Sequence, residues 1–349
     1  MTLTQNTFPP RSQHHVAPRY FLIVLVTIAI FALEALISGQ MMDRALDVPA
    51  DLLRPGDDWL EAVGRMRFLA AFMVFGCITL LASCLLVIRL ARPMASATRR
   101  CAIAVWLLVI TLALIPTLTS GPQGTGALAY GKLGAPLFEA VLARGGVTGC
   151  VTAADSFLLG ACGANPGVAL FGGVMDIVNL LAGLSVGALV VGMILCLDAR
   201  RSDTPDAAAR RLAGNLRDMR HQLYLSSLVL TFGMFYATAW MNWPMPLIAE
   251  AAQGAYGSLV RASALFTGVY FTLLILSFYL PVALILNLRV RRLAEGARGQ
   301  DAQPDAFDPE AWMASHSLKE GMGDHLRAGF ALIAPILTAF AGGIVPFPF

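Results

Sequence analysis

Residues 68–88 have the sequence FLAAFMVFGCITLLASCLLVI, which contains no charged side chain and lies between Arg67 and Arg89. An α-helix needs about 20 apolar residues to cross a hydrocarbon core of about 30 Å. In lipid, every backbone N–H and C=O group must find a partner within its own segment, so an isolated spanning stretch must be helical. The sequence therefore predicts a transmembrane helix near residues 67–90.

Five other segments share this length and apolar character. With the first, they give six predicted spans, near 20–39, 67–90, 101–119, 168–197, 223–243 and 262–289. The whole chain is 57% hydrophobic and 13% charged, whereas soluble domains carry about 25% charged residues. A β-barrel would instead show alternating segments of about ten residues. The predicted fold class is all-α, a polytopic transmembrane helix bundle.

Arginines mark alternate connecting segments of this bundle. They are Arg11, Arg19, Arg89, Arg92, Arg99, Arg100, Arg200, Arg201, Arg210, Arg211, Arg217, Arg220, Arg289, Arg291 and Arg292. The other segments, 41–66, 120–166 and 244–260, are acid-rich or nearly uncharged and are predicted to be external loops. The six spans form a predicted bundle over residues 20–292. By the positive-inside rule, residues 1–19 before the bundle and the chain that follows it face the cytoplasm. The predicted location is a bacterial-type cytoplasmic (inner) membrane, with the first span as an uncleaved anchor.

The C-terminal region, 293–349, is predicted to be a cytoplasmic linker followed by an apolar helix. Residues 328–349 contain no charge and nearly suffice to span a membrane. Pro335 interrupts their middle, and Gly342-Gly343 is expected to end the apolar run. We therefore expect an interfacial or re-entrant helix, or one packed against the bundle. The alternative is a seventh span, which would place the C-terminus outside.

Two spans are predicted to extend beyond the membrane on the cytoplasmic side. Thr204 followed by Pro205 indicates a helix start well before the fifth span. The sixth span continues past Arg292 until Gly296 and Gly299 loosen it. These helix ends and the C-terminal tail are candidate surfaces for a second copy of the chain or for a partner protein.

Two cysteines lie in the largest predicted external loop, at Cys150 and Cys162. A disulfide between them would close a short loop in an oxidising compartment, and two free thiols are the alternative. The loop contains no histidine and no further cysteine, so no zinc site is predicted there.

Two predicted spans contain a carboxylate. Glu34 lies in the first span, and Asp176 lies in the fourth, with Asn179 one turn further on the same helix face. Charged groups at membrane depth cost several kcal/mol, so their presence is by default a functional hypothesis. We predict that these three residues line an ion or proton path. The alternative is that both acids lie near the outer helix ends and reach headgroup water.

The fourth span also contains the sequence GLSVG at residues 183–187. Ser185 resembles the nucleophile of a G-x-S-x-G elbow, but that motif needs a strand-to-helix turn, and no histidine lies in any predicted span. The same residues spell G-x-x-x-G, so Gly183 and Gly187 are predicted to allow close helix packing. In the sixth span, Pro281 is a candidate helix bend.

No recognisable catalytic, cofactor-binding or metal-binding motif occurs in the sequence, and no basic stripe indicates a nucleic-acid partner. The function favoured by the sequence is that of a transport or pore-forming membrane protein for ions, protons or small solutes. The alternative is a non-transporting scaffold, anchor or accessory subunit of a larger complex. An intramembrane enzyme is a distant third interpretation.

Overall fold

The computed structural model of the protein describes residues 14–41, 50–54, 58–119, 133, 137, 140–141, 156–157, 160–161, 166–199, 204–298, 308–319 and 321–344. Its α-helices are α1 (Val24–Met41), α2 (Glu61–Ala91), α3 (Ser96–Thr119), α4 (Pro166–Ile194), α5 (Pro205–Asn242), α6 (Glu250–Arg298), α7 (Pro309–Ser315) and α8 (Met322–Ile344). Short 3-10 turns precede α1 (Pro18–Ile23) and follow α4 (Leu195–Leu197). Two antiparallel two-residue strands, β1 (Ser156–Phe157) and β2 (Gly160–Ala161), lie between α3 and α4.

Seven helices of the described part of the chain, all except α7, are long and apolar enough to cross a membrane. The predicted all-α polytopic bundle is thereby confirmed. The C-terminal half of α4 forms its centre, where every residue from Gly187 to Asp198 is buried. Helices α2, α3, α5 and α6 all pack against α4.

The long helices begin and end for local reasons. The hydroxyl of Thr204 accepts a hydrogen bond from the N–H of Ala207 at 3.3 Å, and Pro205 occupies the first turn, so α5 starts where the sequence predicts. Helix α6 begins at Glu250, which makes most of the segment predicted as a loop at 244–260 helical. Tyr256 stabilises this early start, because its buried hydroxyl donates to the carbonyl of Met241 at 2.6 Å.

Helix α8 is continuous, and the expectation that Pro335 and Gly342-Gly343 would break it is corrected. Pro335 lies inside the helix, which continues to Ile344. A proline removes only one N–H donor from the helix ladder. In apolar surroundings the neighbouring groups have no other partners, so they keep their helical hydrogen bonds.

The contacts of α8 show how far it runs along the bundle. Near its start, Asp324 Oδ2 lies 3.2 Å from Arg220 Nη1 of α5. Near its end, Gly342 lies against Thr238, also of α5. The two contacts are separated by about 27 Å along each helix at 1.5 Å per residue. Helix α8 is therefore parallel to α5 and extends over the same thickness, and it packs closely against α6 as well.

Candidate functional site

A cavity of about 100 Å³ lies between six helices, α1 to α6, about midway along the bundle. Its wall is mostly aliphatic and aromatic, with Phe31, Phe75 and Phe271 contributing rings. The polar groups of the wall are few, and two of them have close partners. The hydroxyl oxygens of Thr27 and Ser277 are 3.0 Å apart, and Ser185 donates to the carbonyl of Ala182 at 3.0 Å. The cavity therefore suits an apolar molecule better than a hydrated ion.

One wall of the cavity is formed by α1 and α3. Helix α1 packs along α6, whereas the main contacts of the N-terminal region with α3 and α4 come from the 3-10 turn before α1. Within the described residues, α1 and α3 are therefore joined mainly at one end of the bundle.

Glu34 lies on the same face of α1 as the cavity residues Thr27 and Phe31, and the residue is 4% exposed. Helices α1 and α6 are antiparallel. Tyr20, before α1, contacts Arg289, and Thr27, further along the chain, contacts the earlier residue Ser277 of α6. Glu34 is two turns beyond Thr27, about 10 Å along the axis. The carboxylate is thus enclosed by protein near one end of the cavity.

The other two candidate path residues lie on α4. Asp176 is in the helix, and the structure describes its backbone only. Asn179 is half-buried, next to Val178, which lines the cavity. The predicted disulfide partners Cys150 and Cys162 lie outside the described residues. The described cysteines, Cys77, Cys84, Cys101 and Cys196, are free thiols.

The two glycines of the GLSVG segment lie against α3. A Cβ atom on Gly183 would be 2.7 Å from Ala113 Cβ, and one on Gly187 would be 2.7 Å from Trp106 Cδ1. The indole N–H of Trp106 donates to the carbonyl of Leu184 at 3.0 Å. This stretch of α4 is continuous helix, without the strand-to-helix turn of a nucleophile elbow. Pro281 lies inside α6, which continues beyond it to Arg298.

At the arginine-rich end of the bundle, two arginines bind the end of α4. Arg89 of α2 donates to the carbonyl of Gly192 at 3.0 Å. Arg289 of α6 donates to the carbonyls of Leu197 at 2.9 Å and Asp198 at 3.3 Å. The last carbonyls of a helix have no partner within it and carry a partial negative charge. The arginines supply both the donors and the positive charge that these groups require.

The N-terminal segment is attached at the same place. The buried carboxylate of Asp198 accepts a hydrogen bond from the backbone N–H of His15 at 2.9 Å. The amide of Asn215 donates to the carbonyl of Asp198 at 3.0 Å. The hydroxyl of Thr98 accepts a hydrogen bond from the backbone N–H of Val16 and donates one to the backbone carbonyl of Val16. The chain before α1 is thereby fixed across the ends of α3, α4 and α5.

At the opposite end, an aromatic cluster surrounds a buried acid. Glu61, which the sequence places among the acids of an external loop, is 1% exposed. Its carboxylate accepts the indole N–H of Trp243 at 3.0 Å and pairs with Arg65 at 3.3 Å. The ring of Phe68 stacks on Trp243 with centroids 5.2 Å apart. Gly64 faces Trp243 so closely that no Cβ atom would fit.

In the sequence, Arg89 and Arg289 served only as markers of topology, and their contacts with α4 were not predicted. Each is flanked on both sides by apolar residues, but so are Arg67 and Arg261, so the sequence pattern did not single them out. Among the described residues, no group of three His, Cys, Asp or Glu side chains could hold a metal ion. No protein-family model matches the chain, and neither a curated protein nor a solved structure matches it.

Proposed function

We propose that α1 to α6 and α8 all cross a bacterial-type inner membrane, with the N-terminus in the cytoplasm. The structure gathers Arg89, Arg289 and Arg220 at one end of the bundle, and the positive-inside rule assigns this end to the cytoplasm. Helix α8 starts at this end, beside Arg220, and finishes beside Thr238. The C-terminus then lies outside, in contrast to the cytoplasmic position expected from the sequence.

Reporter fusions test this topology. A phosphatase fused after Phe349 should be active, because it needs the oxidising external compartment, and a fluorescent protein that matures in the cytoplasm should stay dark there. The same pair fused before Met1 should give the opposite result. If the C-terminal fluorescent fusion is bright and the C-terminal phosphatase fusion is inactive, the protein has six spans and a cytoplasmic C-terminus.

Within this topology, we propose that the protein binds a lipophilic molecule in the cavity enclosed by the six helices α1 to α6 and transports it through that cavity. The apolar wall of that cavity is the observation that carries the proposal. A cavity of this size is comparable to engineered apolar cavities of about 150 Å³ that bind benzene. An apolar substrate would enter from the lipid between α1 and α3, which are joined mainly at one end within the described residues. This makes a lipophilic substrate a better match than the small hydrated solutes considered from sequence.

Photolabelling tests binding at the cavity. The protein is reconstituted in lipid nanodiscs, exposed to an alkyl diazirine and mapped by peptide mass spectrometry. We expect labels on Phe31 and Phe271, and we expect Ala182→Phe to remove them by filling the cavity. The matched control is Ala70→Phe, which adds the same ring to an exposed position of α2. Labelling at the two phenylalanines that survives Ala182→Phe would reject the cavity as the binding site.

A proton or cation path is the second candidate, favoured by the burial of Glu34 beside the cavity. This path would use Glu34 with Asp176 and Asn179, as predicted from the sequence. Proton and potassium fluxes into proteoliposomes should fall at least tenfold in Glu34→Gln and in Asp176→Asn. Glu295→Gln, an exposed position of α6, is the matched control. Leak-level flux in the wild type would instead favour the non-transporting scaffold or accessory subunit.

A further inference from the structure

A second cavity, of about 270 Å³, lies between α2, α4 and α5 at the arginine-rich end of the bundle. Its polar wall consists of Arg89, Arg92, Asp218, His221 and Gln222. None of these residues belongs to the intramembrane cavity between the six helices. The site is therefore independent of the proposed substrate cavity.

The charges in this wall do not cancel. Arg89 donates to Asp218 Oδ2 at 3.4 Å, so the carboxylate found among the described residues of the wall already has a cationic partner. Arg89 is also engaged with the carbonyl of Gly192. Arg92 is an exposed residue whose positive charge is not offset by Asp218, and the exposed His221 offers a further donor. An anion can bind here without displacing the contacts of Arg89.

The remainder of the wall is apolar and faces outward from the bundle. Leu85 is 45% exposed and Ile88 is 57% exposed, both on α2 within one turn of Arg89. Leu225 of α5 continues this apolar part. The cavity thus combines an anion-binding half with a half that suits hydrocarbon, and it lies where the positive-inside rule places the cytoplasmic membrane surface.

We propose that this cavity binds the phosphate group of an anionic membrane lipid, with Arg92 and His221 as donors and an acyl chain lying over Leu85 and Ile88. Basic pockets between membrane helices at the cytoplasmic surface are a recurrent way to bind anionic headgroups. A soluble phosphate compound shares the headgroup chemistry but leaves the apolar half of the cavity unused. The structure therefore favours the lipid over the soluble anion.

Binding of short-chain lipids to the full-length protein in a neutral detergent tests the proposal. We expect short-chain phosphatidylglycerol to bind more tightly than phosphatidylcholine of the same chain length, and more tightly than glycerol 3-phosphate. Arg92→Gln should weaken phosphatidylglycerol binding about fivefold, as one cation near the surface implies. The double variant with His221→Gln should weaken it at least about tenfold. Phosphatidylcholine carries the same phosphate with a choline cation beside it, so its binding should fall less than that of phosphatidylglycerol in either variant.

Arg100→Gln is the matched control, since it removes an exposed arginine from the same end of the bundle but outside the cavity. Circular dichroism of each variant checks that the fold is intact. Equal binding of the two lipids, or equal losses in Arg92→Gln and Arg100→Gln, would overturn the anion site. Glycerol 3-phosphate binding as tightly as phosphatidylglycerol would overturn the assignment to a lipid.

Discussion

Replacing Arg289 with methionine should remove the interaction that holds the end of α4 to α6. Arg289 is half-buried and donates to the carbonyls of Leu197 and Asp198, and its guanidinium lies 5.3 Å from the ring centroid of Tyr20. Methionine keeps much of the apolar stem but supplies no donor and no charge. The variant thus separates the polar contacts of Arg289 from its packing.

The two carbonyls are not equally affected by this change. Asp198 still receives a hydrogen bond from Asn215 at 3.0 Å, so its loss is small. Leu197 is fully buried, and losing a charged donor to a buried carbonyl costs about 1.5–3 kcal/mol. The cation–π contact with Tyr20 contributes about 0.5–1 kcal/mol. We expect the free energy of unfolding to fall by about 2–4 kcal/mol.

Equilibrium unfolding in mixed micelles with increasing dodecyl sulfate, followed by circular dichroism, measures this difference. The control is Arg291→Met, because Arg291 is exposed on the same helix and should change stability by less than about 0.5 kcal/mol. Arg289→Lys should fall between the two, since one ammonium replaces a planar fork of donors. Equal stabilities of the two methionine variants would refute the capping role of Arg289.

Three glycine substitutions test the close packing of the helices, two at tight contacts and one at an open position. Gly64→Ala should destabilise the protein by about 1–3 kcal/mol, because its Cβ atom would overlap the backbone of Trp243. Gly254→Ala, with open space around the new methyl group, should leave stability unchanged or raise it by up to about 1 kcal/mol in the same unfolding assay. Gly268→Leu should separate α8 from α6, since even a Cβ atom there would be 2.8 Å from Ala339 Cβ and 3.1 Å from the Pro335 carbonyl oxygen. Faster proteolysis after Arg327 in Gly268→Leu than in wild type would show this loosening, and identical proteolysis would contradict the close packing of α8.

The helices could be predicted from the sequence because each apolar run is long enough by itself to require helical structure. The start of α5 at Thr204-Pro205 was also predictable, since a cap depends only on neighbouring residues. The burial of Glu61, in contrast, could not be predicted from its neighbours in the sequence. Its position before the second span suggested a solvated loop, whereas Trp243, far away in the chain, buries it and supplies a donor.

The candidate path residues show a similar division. Glu34 could be identified from sequence as a carboxylate within an apolar run, but its burial depends on which face of α1 meets the bundle. The apolar cavity could not be predicted, because six separate helices contribute to its wall. The roles of Arg89 and Arg289 were hidden for the same reason, since their acceptors lie on a different helix.

The α-helical membrane character of the protein follows from the sequence alone, because lipid offers no hydrogen-bond partners and the length of each apolar run is a local property. The continuity of α8 and its course beside α5 over the thickness of the bundle depend instead on contacts between distant parts of the chain. A proline and two glycines have unfavourable helix propensities wherever they occur. Packing against α5 and α6 outweighs those propensities, and that packing depends on residues such as Gly268 and Thr238 that are distant in sequence.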